Sequence, residues 1–176
     1  MRPSSPRVPP ISPEDFTPEQ AAMAKGHEHL NFARMLVNHP ALYKVFVPFG
    51  EKMMRGSELP TRDREILLLR TLELCGEGYE APHHVAIARA AGLTDAEIEA
   101  ARTGGTGLVA FDRALVKAAE ELVGEHCLSN ATWAKLSERY SRVQMIDLVF
   151  LVGDYTMLSM VTSSLGMQIE TEAAHP

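Results

Sequence analysis

The chain has 176 residues, 45% of them hydrophobic, with 17 basic and 23 acidic side chains that give a net charge of −6. That length suits one domain with a sizeable core, and the acidic balance argues against a nucleic-acid partner, which would favour a basic surface. The two cysteines, Cys75 and Cys127, form neither a CxxC pair nor a zinc-type cluster, which argues against a disulfide framework or structural zinc.

The first stretch of the chain is rich in proline. Residues 1–18 hold six of the eleven prolines, and proline fixes φ and lacks an amide donor, so we expect an extended arm there. One helical domain over 19–170 and a flexible tail over 171–176 complete the predicted organisation. The arm lacks the apolar segment of a signal peptide, and with the low cysteine count this predicts a cytoplasmic protein.

Apolar residues at helical spacing begin directly after the arm. They predict a helix over 19–37, which His39-Pro40 ends because the residue before proline disfavours the α conformation. A second helix is expected over 41–54. A third is expected over 61–75, where Thr61 can cap the amino terminus.

The middle of the chain carries specific start and stop signals. A helix is expected over 80–91, with Pro82 in its first turn and Gly92 as its stop. Thr94 and Glu97 then have the spacing of a capping box, in which each side chain accepts the other residue's amide proton. These signals predict a new helix directly after Gly92.

The last third is also helical in pattern. We expect a helix over 111–124, a short one capped by Ser129 or Asn130, and a long apolar one from Val143. Two aspartates interrupt the apolar run over 143–165, which favours a buried core helix over a membrane span. No segment alternates as a strand would. The predicted class is therefore all-α, with about seven or eight helices.

The densest polar cluster lies at residues 77–84, with the sequence EGYEAPHH. Glu80 and His84 are four residues apart and share a helix face. A carboxylate beside an imidazole can orient it and favour its charged form, which yields a proton-transfer group near neutral pH. His83, three residues from Glu80, is an equal neighbour, and a solvated helix face is the alternative interpretation.

Five segments resemble, in order, the carboxymuconolactone decarboxylase-like family. Residues 59–70 (LPTRDREILLLR) look like its "LPxRxRELxIL" helix, and residues 79–84 resemble its "YEWxxH" motif. Residues 91–98 (AGLTDAEI) match its "AGLTxxEI" continuation. Residues 133–136 and 152–155 look like its C-terminal landmarks, so the resemblance covers about residues 30–170.

The resemblance implies an alkylhydroperoxidase-like helical fold and a homo-oligomer, usually a trimer or a multiple such as a hexamer, with the site near a subunit interface. It also implies a cofactor-free lyase of the decarboxylase type, or an isomerase, acting on a small carboxylated or lactone-type compound of aromatic catabolism. The expected partner is therefore a small-molecule substrate rather than a membrane or a nucleic acid.

Peroxidases of the same family carry Cys-x-x-Cys-x-x-x-His and an upstream glutamate. By spacing, the histidine falls on His84, the glutamate on Glu65, and the two cysteines on Glu77 and Glu80. A carboxylate cannot exchange with a disulfide, so the dithiol mechanism is excluded at this site. A redox protein using Cys75 alone stays as an alternative, beside the interpretation of that thiol as a small buried apolar residue.

The resemblance thus indicates acid–base chemistry. His84 would transfer the proton, Glu80 would orient or charge it, and Glu65 would hold the second imidazole nitrogen or act as a second base. The alternative for Glu65 is a salt bridge with Arg62 or Arg70. The substrate-binding residues that we expect are Tyr79, His83, Arg64 and Arg70.

Two features of the sequence bear on the shape of the site and on metal binding. Ala81 stands where the motif has tryptophan, which opens volume at the site or changes its shape. Glu65, Glu80, His83 and His84 lack a recognised zinc spacing, so no metal is expected. A third class, a non-catalytic oligomeric binding protein, would have its Glu80/His84 pair facing solvent or filled by packing.

Overall fold

The computed structural model describes residues 3–170, and each regular element within that range is a helix. A 3-10 turn at Pro13–Asp15 precedes nine α-helices, eight of which have seven or more residues. The all-α prediction is confirmed. In chain order the helices are α1 Pro18–Ala24, α2 Asn31–Leu36, α3 Pro40–Arg55, α4 Thr61–Leu74, α5 Glu80–Ala90, α6 Asp95–Arg102, α7 Ala110–Glu125, α8 Asn130–Ser137 and α9 Arg142–Leu165.

The chain packs as two compact units, whose described parts are residues 3–52 with 161–170, and residues 53–160. In the first unit the proline-rich arm runs without regular structure as far as residue 12 and is held by backbone hydrogen bonds. Arg7 N donates to Leu165 O, and Ile11 N donates to Arg34 O. The predicted tail over 171–176 lies outside the described residues.

The prediction of one helix over 19–37 was wrong. Thr17 and Gln20 form a capping box that starts α1, but α1 ends at Ala24 and α2 begins only at Asn31. Gly26 lies between them with φ +89°, a left-handed conformation that a helix interior does not allow and that glycine adopts without steric cost. Gly26 therefore divides the segment into two short helices.

The second unit is built around α4, which packs against α5, α6 and α7. Ile66, Leu67, Leu68 and Leu72 are fully buried there, a burial worth about 1.5–3 kcal/mol for each side chain. Pro60 rather than Thr61 occupies the N-cap position of α4, and no side chain caps this helix. The predicted cap at Thr61 was therefore wrong by one position.

The predicted boundaries in the middle of the chain are confirmed. α5 ends at Ala90, and Gly92 has the left-handed φ of +90° that a helix stop requires. Thr94 and Glu97 form both hydrogen bonds of the capping box before α6. Ser129, one of the two residues proposed for the role, caps α8 by accepting from Thr132 N.

The longest helix, α9, has one buried and one exposed side. Leu148, Leu151 and Val152 are buried, whereas Ile146 and Met160 are more than half exposed. Within residues 3–170 it is the one helix whose length and composition would allow it to cross a membrane, a test that core helices of soluble proteins also pass. In its most apolar window of 18 residues, 56% of the residues are buried inside the protein.

Candidate active site

Two acid–base side chains meet inside the second unit. His84 Nδ1 on α5 lies 2.7 Å from Glu65 Oε2 on α4, and the two residues are 2% and 0% exposed. The packing of α4 on α5 brings them together although they are 19 positions apart. Of the two roles left open for Glu65, this geometry matches that of holding an imidazole nitrogen.

A tyrosine that the sequence analysis did not place in the site completes this cluster. The hydroxyl of Tyr155, on α9, lies 2.9 Å from His84 Nε2, and the two rings stand nearly perpendicular with centroids 4.8 Å apart. The segment 152–155 was recognised only as a landmark of the family. Because Tyr155 is the last residue of this segment, the segment was the feature of the sequence from which its role could have been predicted.

Arg64 neutralises the buried carboxylate of Glu65. Its Nε and Nη2 atoms each lie 3.0 Å from Glu65 Oε1, and Nη1 donates to the carbonyl of Met54. One carboxylate oxygen thus contacts Arg64 and the other contacts His84. An ion pair with Arg62 or Arg70 is not what holds Glu65, since those arginines pair with Glu97, Asp112 and Glu120.

The hydroxyl of Tyr155 also touches the thioether of Met54, with an O–S distance of 2.7 Å. A phenol has one proton, so two hydrogen placements fit the distances. With neutral His84, the phenol donates to Nε2 and Nδ1 donates to Glu65. With charged His84, both ring nitrogens donate and the phenol donates to Met54. The cluster thus accommodates His84 before and after it takes up a proton.

The surroundings keep Tyr155 protonated. Burial raises the pKa of its phenol well above the usual value, and the negative charges of Glu80, Glu65 and Asp154 raise it further against the opposing effect of Arg64. Ionisation would place a second negative charge beside buried carboxylates. Tyr155 is therefore neutral and can donate a hydrogen bond at neutral pH.

The structure separates the two adjacent histidines. His84 faces Glu65 and Tyr155, while the ring of His83 stands edge-on to Tyr79 at a centroid distance of 5.4 Å. Glu80 is half-buried at the start of α5, and its charge acts on the pKa of Tyr155. The His84 ring is oriented by its hydrogen bonds with Glu65 and Tyr155, and the role of Glu80 in orienting or charging it stays a prediction.

Glu77 has a structural task. Its carboxylate accepts hydrogen bonds from the backbone N–H groups of Tyr79, Glu80 and Ala81, which open α5. These amides have no partner within a helix and favour negative charge. One of the two positions at which the related peroxidases carry thiols is thus occupied by a helix-capping carboxylate.

The remaining predicted residues lie in different settings. Arg70 donates to Glu120 Oε1 and to the carbonyl of Arg102, so its described bonds run to α6 and α7 rather than to His84. Cys75 is half-buried and lies directly after α4. Among residues 3–170, no three His, Cys, Asp or Glu side chains are placed to hold a metal ion.

Residues 40–122 match the model of the carboxymuconolactone decarboxylase family. This segment includes Glu65 and His84, while Tyr155 lies beyond its end. No curated protein matches the chain at a significant level.

Several solved structures share the fold at low sequence identity. A peroxidase-related protein from Ralstonia eutropha JMP134, described as an alkylhydroperoxidase AhpD core, aligns with a TM-score of 0.78 at 15% identity over 98% of this chain and 95% of its own. A peroxidase-related protein from Silicibacter sp. TM1040 aligns at 0.71 and 19%, covering 94% and 88%. A variant of the debrominase Bmp8 in complex with 2,3,4-tribromopyrrole aligns at 0.79 and 19%, covering 95% and 93%.

Proposed function

Since the chain contains a segment of the carboxymuconolactone decarboxylase family at residues 40–122, we propose that it is a cofactor-free lyase of the decarboxylase type, or an isomerase, that moves a proton through Glu65, His84 and Tyr155. Its substrate is a small carboxylated or lactone-type compound. The observation that carries the proposal is the continuous line of hydrogen bonds, 2.7 and 2.9 Å long, that joins these three side chains.

Each member of the line has a distinct task. The phenol of Tyr155 donates its proton to the substrate carbon or to the enolate oxygen. His84 returns a proton to the phenolate through Nε2, and Glu65 stabilises the imidazolium through Nδ1. Arg64 fixes Glu65 without contacting the imidazole, so it is a positioning residue.

The chemistry balances without a redox partner. Loss of carbon dioxide leaves the electron pair of the broken C–C bond on the substrate as an enolate, and protonation of that enolate completes the reaction. A decarboxylation thus takes up one proton per turnover, and an isomerisation takes up and releases one. A poorly hydrated site favours loss of a carboxylate because the charge becomes delocalised in the transition state.

Three further observations support a small cyclic substrate. The thioether of Met54 contacts the Tyr155 hydroxyl, so a substrate that displaces it would meet the proton donor directly. The debrominase of similar fold binds 2,3,4-tribromopyrrole, a ring of comparable size to a lactone. Ala81, in place of the motif's tryptophan, adds volume near the start of α5.

The test is turnover of carboxylated five-membered lactones in D2O, followed by NMR for deuterium incorporation and for loss of the carboxylate. We expect Tyr155→Phe, His84→Gln and Glu65→Gln each to lower turnover by about 10²-fold or more, with circular dichroism unchanged. Cys75→Ser is the control and should keep full activity.

Two outcomes would contradict the proposal. Full activity in Tyr155→Phe and His84→Gln would remove the proton line from the reaction. Loss of activity in Cys75→Ser, with Tyr155→Phe active, would instead support the redox protein that uses a single thiol.

A further inference from the structure

The exposed side of α9 carries an unusually apolar surface. We call Ile146, Val149, Gly153, Met157 and Met160 the α9 stripe. Its four side chains are between 38% and 64% exposed, and their spacing keeps them on one helix face. They present roughly 400 Å² of surface, which is within the size range of the largest patches on monomers and of functional contact sites.

No charged side chain interrupts this face. The charged residues between Val143 and Met160 are Asp147 and Asp154, and both are buried on the other side of α9. A helix face in water normally carries charged and polar residues, and the chain has 40 Asp, Glu, Lys and Arg residues available for such positions. The composition of the α9 stripe is that of a covered surface.

The stripe is symmetric about Gly153. Val149 and Met157 lie four residues before and after it, and Ile146 and Met160 lie seven before and after. A two-fold axis through Gly153 would therefore bring Val149 against Met157 and Ile146 against Met160 of a second, antiparallel α9. Two-fold contacts between identical chains require this self-complementarity.

Gly153 suits the centre of such a crossing. It is exposed, and a Cβ placed on it would meet no atom within 4 Å, so no internal contact of the chain requires a glycine here. A glycine within a helix lowers its stability relative to alanine. Its missing side chain would instead allow two helix backbones to approach closely, as small residues do where helices cross.

We infer that the α9 stripe is a two-fold interface with a second copy of this chain, in which the two α9 helices cross antiparallel at Gly153. The stripe supplies roughly half of the about 800 Å² per partner that stable interfaces bury. The reverse side of the same helix carries Tyr155. The contact gives an even number of subunits.

Introducing a charged side chain at Gly153, where the two helices cross, tests this inference. Gly153→Glu places like charges opposite each other at the crossing, and so does Gly153→Lys. Light scattering coupled to gel filtration at 20 µM should give twice the chain mass or a higher even multiple for the wild type, and half that value for either variant. An equimolar mixture of the two variants should keep the lower mass, because either side chain fills the space in which the two backbones meet.

Val45→Glu is the matched control, since Val45 is a 67% exposed residue on a different helix, α3; it should leave the mass unchanged. A monomeric wild type, or unchanged masses for both Gly153 variants, would overturn the inference. So would monomeric protein that sediments with phosphatidylcholine vesicles through Ile146 and Met160, because the stripe would then cover a lipid surface.

Cysteine cross-linking tests the direction of the helices, in a background with Cys75→Ser and Cys127→Ser. Antiparallel helices crossing at Gly153 place Ile146 beside Met160 of the other copy and about 21 Å from the other Ile146, beyond disulfide reach. Mild oxidation should therefore cross-link a mixture of Ile146→Cys and Met160→Cys chains but neither variant alone. Cross-linking of Ile146→Cys alone would contradict the antiparallel arrangement.

Discussion

At the scale of single residues, Asp154 is a carboxylate in an unfavourable setting. Its side chain is 4% exposed, and neither oxygen accepts a hydrogen bond within the described residues. Burial raises the pKa of this group from 3.8 to about 6, since a charge is poorly stabilised away from water. Asp147, seven residues earlier, is also buried but accepts hydrogen bonds from Ser57 Oγ and Glu58 N.

This contrast predicts opposite effects of two similar substitutions. Folded protein holds the Asp154 proton up to about pH 6 while unfolded chain releases it near 3.8, so the free energy of unfolding falls as pH rises through that window. Asp154→Asn should therefore stabilise the protein at pH 7.5 by about 1–3 kcal/mol, and this gain should shrink towards zero near pH 4.

Urea unfolding at pH 4.5, 6 and 7.5 measures this dependence. Asp147→Asn is the control and should destabilise the protein, because it weakens two buried hydrogen bonds. A gain from Asp154→Asn that is the same at all three pH values would contradict the assignment of the shifted group to Asp154.

At the scale of secondary-structure elements, the start of α5 depends on one side chain. The carboxylate of Glu77 accepts hydrogen bonds from three successive backbone amides, and His84 is in the second turn of the same helix. We expect Glu77→Ala to lower the free energy of unfolding by about 1–3 kcal/mol, because the buried amides lose their acceptor.

Glu77→Gln keeps a hydrogen-bond acceptor at the start of α5 but removes its negative charge. The amide oxygen can still accept hydrogen bonds, so this variant should lose about half as much stability as Glu77→Ala in thermal and urea unfolding, with the rest due to the helix dipole. Equal stability of Glu77→Ala and wild type would show that the amides find water instead.

Elements could be predicted from the sequence where the signal is local. Thr94 and Glu97 are three residues apart, and each side chain accepts a hydrogen bond from the other residue's backbone amide. The start of α6 can therefore be predicted from a short segment of the sequence. The break between α1 and α2 was missed because Gly26 stands in a polar segment that interrupts no apolar pattern. Its left-handed φ depends on the hydrogen bonds of the neighbouring turn, which the spacing of apolar residues does not predict.

At the scale of the whole molecule, the arm of the first unit packs closely on the end of α9. A Cβ on Gly166 would lie 2.5 Å from the carbonyl oxygen of Ser5, and the φ of Gly166 is +70°. Gly26 has a similar φ of +89°, but a Cβ there would meet nothing within 4 Å. A side chain at Gly26 would therefore cause backbone strain alone, whereas one at Gly166 would cause both backbone strain and a steric clash.

We expect Gly26→Ala to lower the free energy of unfolding by about 1–2 kcal/mol, the cost of a left-handed alanine. Gly166→Ala should cost more and should also displace the arm. Arg7 is held through its own N–H and its guanidinium at Leu165 and Ser164, so trypsin should cleave after Arg7 faster in Gly166→Ala than in Gly26→Ala. Equal cleavage rates would show that the arm does not depend on this contact.

Part of the candidate site could be predicted from the sequence, and the rest depends on how the whole chain folds. Glu65 and His84 lie in segments that resemble family motifs, and both side chains are in the cluster. Tyr155 is 71 positions from His84, and only the folding of the chain makes their side chains neighbours. Arg62, Arg64 and Arg70 all lie within five positions of Glu65, and the surrounding helices decide that Arg64 contacts it.

The carboxylate of Glu77 also bears on how thiol and proton chemistry could interconvert in this fold. A cysteine at position 77 would sit among the free amides at the start of α5, where a thiolate is stabilised, but it would leave α5 without its carboxylate cap. A second cysteine at position 80 would remove the charge that helps to keep Tyr155 protonated. Each step towards a dithiol thus removes a carboxylate that this chain uses, one as the cap of α5 and one as a charge near Tyr155.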